Sequence, residues 1–132
     1  MKRMELNVHS FSLRYRFRHA AVLASGYDVF AYMRQMKASG FDGVNISANG
    51  PNYRDLCGMS DAHFAAVNGL RTELGLTLEL DTSDTAEANM RRMLMVTAAC
   101  GGDTLRTYTR YSGTKAELAR WIGQSVKDLE WV

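Results

Sequence analysis

The sequence predicts an α/β protein of four consecutive strand-helix units, its parallel strands laid side by side in sequential order. Three observations carry this. First, short apolar alternations of period two, which mark strands, take turns four times with longer runs whose apolar residues recur every three or four positions, which mark helices. Second, each strand is apolar on one parity and polar on the other: Leu6 and Val8 against Asn7 and His9, Val44 and Ile46 against Asn45 and Ser47, Leu78 and Leu80 against Glu79 and Asp81, Leu105 against Arg106 and Tyr108. Helices are therefore expected on one face only, because a doubly wound sheet is covered on both and its strands are apolar throughout. Third, the 132 residues are about half of the ~250 that a (β/α)8 barrel takes, and such a barrel has a polar-ended lumen behind one helical layer. The expectation is a half (β/α)8 TIM barrel, one domain over residues 1–132.

The elements follow in order. Leu6-Asn7-Val8-His9 is the first strand, and residues 11 to 27 read as a long loop after it. Asp28 can cap a helix carrying Val29, Met33 and Met36 on one face, and Gly40 followed by Phe41 supplies its left-handed stop. Residues 43–47 form the second strand, and the turn-rich stretch Ala48-Asn49-Gly50-Pro51-Asn52 opens a second long loop, to about residue 59. Ser60 is the next N-cap, with Phe64, Val67, Leu70 and Leu74 on one stripe ending at Gly75. Thr77-Leu78-Glu79-Leu80-Asp81 is the third strand. Asp84 with Glu87 reads as a capping box before a face of Met90, Met93, Leu94 and Ala98, which stops at Gly101-Gly102. Thr104-Leu105-Arg106-Thr107-Tyr108 is the fourth strand. Thr114-Lys115-Ala116-Glu117 matches the capping box ahead of Leu118, Trp121, Ile122, Val126 and Leu129.

Composition narrows the function classes. Sixteen Lys plus Arg against fourteen Asp plus Glu leave a formal charge of +2, too small a bias to point to nucleic acid by itself. No apolar run approaches the ~18 residues of a membrane span, and the start MKRMELNVHS lacks the apolar core of a signal peptide, so the expected location is the cytoplasm. Cys57 and Cys100 lack CxxC spacing and read as free thiols rather than a zinc site or a disulfide. No GxGxxG or P-loop follows any strand.

In a barrel, function sits in the loops at the carboxyl ends of the strands. His9 ends the first strand, where an imidazole can bind a hydroxyl, act as acid or base, or ligate a metal; it is also the one catalytic candidate. The first loop carries Arg14, Arg16 and Arg18 between apolar residues. That pattern reads as an anion clamp on a substrate, as a solvated segment over packed aromatics, or as a nucleic-acid patch, which the near-neutral charge disfavours. Glu79 and Asp81 face the same interior as Arg106, Tyr108 and Arg110, and Glu79 with Arg106 is expected to form a lumen pair. Asp81, Tyr108 and Arg110 lie nearer the strand ends and are placed to touch a ligand. Asn49 can hydrogen-bond a polyol or serve the turn alone.

The phrases GFDGVNISANG (40–50), GLTLELDTSD (75–84) and CGGDTLRTYTRY (100–111) resemble the xylose-isomerase-like TIM-barrel superfamily, in its sugar phosphate isomerase/epimerase branch. The resemblance runs over the whole chain but over only the first four of the family's eight units. It implies divalent-metal-dependent proton transfer (Mn, Mg, Co or Zn) on a sugar or sugar phosphate, with carboxylate bases. In that branch the metal ligands come from later strands, so this chain is expected to hold none. What transfers is the substrate-facing set His9, Arg14, Asn49, Asp81, Arg106, Tyr108 and Arg110. The histidines that the related apurinic endonucleases use around the second to fourth strands have no counterpart here, where the strand ends offer Asn49, Asp81 and Arg110, which argues against DNA repair.

Three readings result. In the first, the chain is the N-terminal part of a sugar or sugar-phosphate isomerase/epimerase-like protein, inactive alone and completed by a missing C-terminal half-barrel. In the second, it is a homodimeric half-barrel binding a small polar, sugar-like or anionic ligand without catalysis. In the third, it is a small doubly wound module for nucleotides or anions.

Overall fold

The computed structural model describes residues 4–23, 26–48, 56, 59–108 and 114–131. A four-stranded, all-parallel sheet has the order β1 (Asn7–His9), β2 (Gly43–Ser47), β3 (Thr77–Thr82), β4 (Thr104–Thr107). The α-helices described are α1 (Arg14–Leu23), α2 (Val29–Ala38), α3 (Asp61–Leu74), α4 (Glu87–Ala99) and α5 (Leu118–Leu129). Among the described residues no helix is long and apolar enough to cross a membrane.

Strand parity sorts the two faces as the alternation predicts. Val44, Ile46, Leu78 and Leu80 are buried with Tyr32, Met33 and Met36 of α2, Phe64, Val67 and Leu70 of α3, and Met93 and Val96 of α4. Parallel neighbours in sequential order, joined by right-handed crossovers, leave all these helices on one side. The opposite face is polar and runs in register: His9 beside Asn45 beside Glu79, then Ser47 beside Asp81 beside Arg106.

Glycines deliver the chain to β2, β3 and β4 in one repeating way. Gly40, Gly75 and Gly101 all take positive φ. The residue after each donates its N–H back into the helix: Phe41 to Met36 O, Leu76 to Arg71 O, Gly102 to Thr97 O, at 2.9 to 3.1 Å. This is the Schellman stop, closing helix carbonyls that would otherwise lack donors. At the other ends, Asp28 accepts from Ala31 N–H at 2.9 Å and Ser60 from His63 N–H, as expected. Glu117 closes the box on Thr114, although that turn (Lys115–Glu117) is 3-10 before α5 begins.

Four expectations change. The long loop after β1 is helical: a 3-10 turn (Ser10–Leu13) runs into α1, and Phe17 turns into the core against Tyr27 and Tyr32. Asp84 caps no helix; its carboxylate accepts from Ala86 N–H two residues on, a local turn, and Glu87 instead pairs with Arg91 at 2.7 Å. On α4 the buried set is Met90, Met93, Val96 and Thr97, while Leu94 and Ala98 stay exposed. On α5 none of the apolar residues is buried.

Candidate functional site

The carboxyl ends of all four strands open into one cleft of about 420 Å³, lined by His9, Phe11, Ser12, Ser47, Asp81, Arg106 and Tyr108. In open parallel sheets and in barrels this is the end at which ligands bind.

Asp81 is its centre. Cross-strand register sets it between Ser47 and Arg106, and only 2% of it is exposed. Oδ1 lies 3.3 Å from His9 Nε2 and Oδ2 lies 3.6 Å from Arg106 Nη2. Burial by itself raises the carboxyl pKa. The His9 hydrogen bond and charge, the Ser47 hydroxyl and the Arg106 guanidinium more than offset it, holding the group below its ordinary 3.8. Asp81 is therefore a carboxylate at neutral pH, an acceptor for several donors and a weak base.

His9 is fixed by two contacts. Its Nδ1 accepts the Phe11 backbone N–H at 2.9 Å, which caps the 3-10 turn. A nitrogen that accepts must carry the lone pair, so in the neutral ring the proton sits on Nε2, the nitrogen 3.3 Å from Asp81 Oδ1. The ring's lone pair is thereby occupied, which makes His9 a donor and a strut in this arrangement rather than a free general base.

Behind His9 the strand stops short. Ser10, fully buried, accepts the Ser47 N–H on its hydroxyl at 3.0 Å, taking over where β1 leaves the ladder. Tyr32 donates to Val8 O at 2.7 Å from the helix layer. These bonds clamp the β1 end and hence the imidazole.

Arg106 is 54% exposed, and its ion pair among the described residues is the one with Asp81. The half-exposed guanidinium lines the cleft with a planar fork of N–H donors. Phe11 and Tyr108, both exposed, form aromatic rims, the Phe11 ring standing edge-on to His9 at 6.4 Å.

Of the residues expected at the site, His9, Asp81, Arg106 and Tyr108 meet in this cleft. Arg14 stands behind it: its guanidinium stacks on Phe11 at 4.2 Å and on Tyr15 at 4.5 Å and donates to Phe11 O at 3.0 Å. The three arginines do not act together on the cleft: Arg16 diverges and lies over Tyr27 at 5.1 Å, while Arg14 and Arg18, four apart on α1, both lie over the Tyr15 ring, at 4.5 and 5.9 Å. The lumen pair is also corrected. Register puts Arg106 opposite Asp81 and Thr104 opposite Glu79, so Glu79 takes the Asn45 amide at 3.0 Å. Asn49 and Arg110 lie outside the described residues.

Sequence reading missed Ser47, Ser12 and Phe11. Ser47 carried a usable signal, since it shares parity with Asn45 at a strand end; Phe11 and Ser12 enter only through the 3-10 turn, which no local pattern announces.

Among the described residues no three His, Cys, Asp or Glu side chains cluster to hold a metal. No family model matches this chain, and no curated protein matches it significantly.

Proposed function

We propose that this chain is half of a (β/α)8-type barrel whose cleft binds a small sugar-like polyol carrying an anionic group. The observation that carries the reading is the convergence of Asp81, His9 and Arg106 between two aromatic rims at the carboxyl ends of the strands. A buried carboxylate and serine hydroxyls suit ligand O–H groups, a half-free guanidinium suits a phosphate or carboxylate, and exposed aromatic faces suit the C–H face of a sugar ring. The sequential strand order supports the barrel reading over the doubly wound one, because it contains no point at which the order reverses.

The role we assign is binding and orientation. A carboxylate held below its ordinary range and an imidazole whose lone pair is occupied keep protons in place rather than move them. In a sugar isomerase or epimerase of the kind the sequence resembles, this half would hold the substrate, and the base and metal ligands would come from other strands.

The test is an NMR titration with glucose 6-phosphate, glucose and inorganic phosphate. Shifts confined to the amides around His9, Ser47, Asp81 and Arg106 are expected, with the sugar phosphate tightest. Arg106→Ala should weaken the sugar phosphate by about tenfold, about 1.4 kcal/mol, and glucose little. No shifts at about 20 mM ligand, or shifts that Arg106→Ala leaves unaltered, would overturn the reading; that concentration already reaches affinities near −2 kcal/mol.

A further inference from the structure

Helix α5 exposes an apolar stripe that the rest of the fold says should be covered. Leu118, Ile122 and Val126 recur every four residues and are 54%, 56% and 57% exposed. The corresponding faces of α2, α3 and α4 are buried. Helix α4, which follows β3, packs on both β3 and β4. Helix α5 follows β4, and β4 ends the sheet order.

The other end of the sheet has the converse defect. On β1 the apolar parity is Val8 and, two residues earlier, Leu6, which is 52% exposed. Val8 is half-buried against the core and its carbonyl accepts from Tyr32 of α2, whereas Leu6 lies outside that cover. So, among the described residues, α5 has no strand beneath its stripe, and β1 has no strand beside its outer edge and leaves Leu6 exposed.

We propose that a second copy of this chain supplies each missing partner, β1 of one copy pairing with β4 of the other beneath that copy's α5. The geometry permits it because all four strands are parallel and in sequential order. A two-fold axis along the strand direction brings β1 of the partner alongside β4 with the same polarity, and the same operation repeats the contact at the second seam. The interface is therefore isologous and closed, with both edges of both sheets paired rather than left open to further addition. Leu118, Ile122 and Val126 then cover Leu6 and Val8 as Met93 and Val96 sit over the sheet within one copy. The two clefts open into one shared interior. This proposal rests on the half-barrel reading, not on ligand binding.

The experiment is sedimentation velocity with light scattering on the 132-residue chain. The expected mass is twice 14.8 kDa. Ile122→Glu and, separately, Leu6→Glu should each give a monomer with the circular dichroism of the parent, since both side chains are more than half exposed within one copy. A monomer for the parent at about 100 μM, a range in which even modest dimers assemble, overturns the proposal. So does a dimer that survives both substitutions. Repeating the sugar-phosphate titration on the Ile122→Glu monomer separates the two ideas: binding there with no parent dimer sinks only this inference, and a dimer that binds nothing sinks only the ligand.

Discussion

His9 Nε2 reaches Asp81 Oδ1 at 3.3 Å although the two residues sit on strands that are not neighbours, with β2 between them. The contact passes over β2 at the small side chain of Ser47, which is in register with Asp81. It ties β1 to β3 directly and makes the polar face of the sheet one connected unit, so substitutions on it should report on both stability and the cleft.

Replacing Asp81 by Asn tests the tie. With its pKa held below 3.8, the carboxylate adds stability that is fully present above that pH and is lost as pH falls through the lower folded value. Urea unfolding from about pH 7 to about pH 2 should therefore show the parent losing stability more steeply than Asp81→Asn below the ordinary carboxylate range. At neutral pH the variant should be less stable by about 1–3 kcal/mol. Equal acid slopes would remove Asp81 from this role.

Gly43 permits a second contact across β2. It lies in register between Asn7 and Thr77, and Thr77 Oγ1 donates over it to Asn7 Oδ1 at 3.3 Å. A Cβ at this position would strike both side chains and come within 2.8 Å of Thr77 O. Gly43→Ala is expected to cost about 1–3 kcal/mol by overpacking, read from the urea midpoint. A variant as stable as the parent would show that the layer can spread.

Helix α5 is held to the body through Asp128, which accepts from Thr85 at 2.7 Å, and through Arg91 stacked on Trp131 at 4.4 Å. Thr85→Val should leave the sheet intact and raise hydrogen exchange at the amides of Leu118–Leu129 by about fivefold, the equivalent of one lost hydrogen bond of about 1 kcal/mol. Exchange that rises equally in β2 and β3 would mean that α5 is part of the global unit.

Burial pushes the Cys100 thiol up to about 11. In a Cys57→Ser background, an aromatic disulfide reagent at about pH 8 should find no reactive thiol in the native protein and one equivalent after unfolding, because the thiolate is the reacting species. Prompt native-state labelling would contradict the packing around α4.

Much of the fold was legible in the sequence for local reasons. A glycine after three of the apolar helical stripes and a polar cap before most of them fix where α2 and α3 start and where α2, α3 and α4 stop, because these signals act within a few residues. The polar parity of the strands likewise announced a face reserved for something other than helices. The first connection was not legible: arginines at alternate positions mimic an extended segment, and the inward turn of Phe17 depends on Tyr27 and Tyr32 being in place. Nor was the ion pair, since Glu79 and Asp81 share a parity and the choice between them depends on how β3 slides against β4.

The sequence by itself determined the alternating elements, their glycine stops and the sorting of apolar from polar side chains across the sheet, all of which follow from period, caps and φ preference. Tertiary structure decided which of those polar groups meet. Parallel register set Arg106 against Asp81, the short β1 turned His9 over β2 toward the same carboxylate, and the strand order left α5 and Leu6 exposed at opposite edges. Those outcomes depend on distances between residues far apart in the chain, which no local pattern encodes.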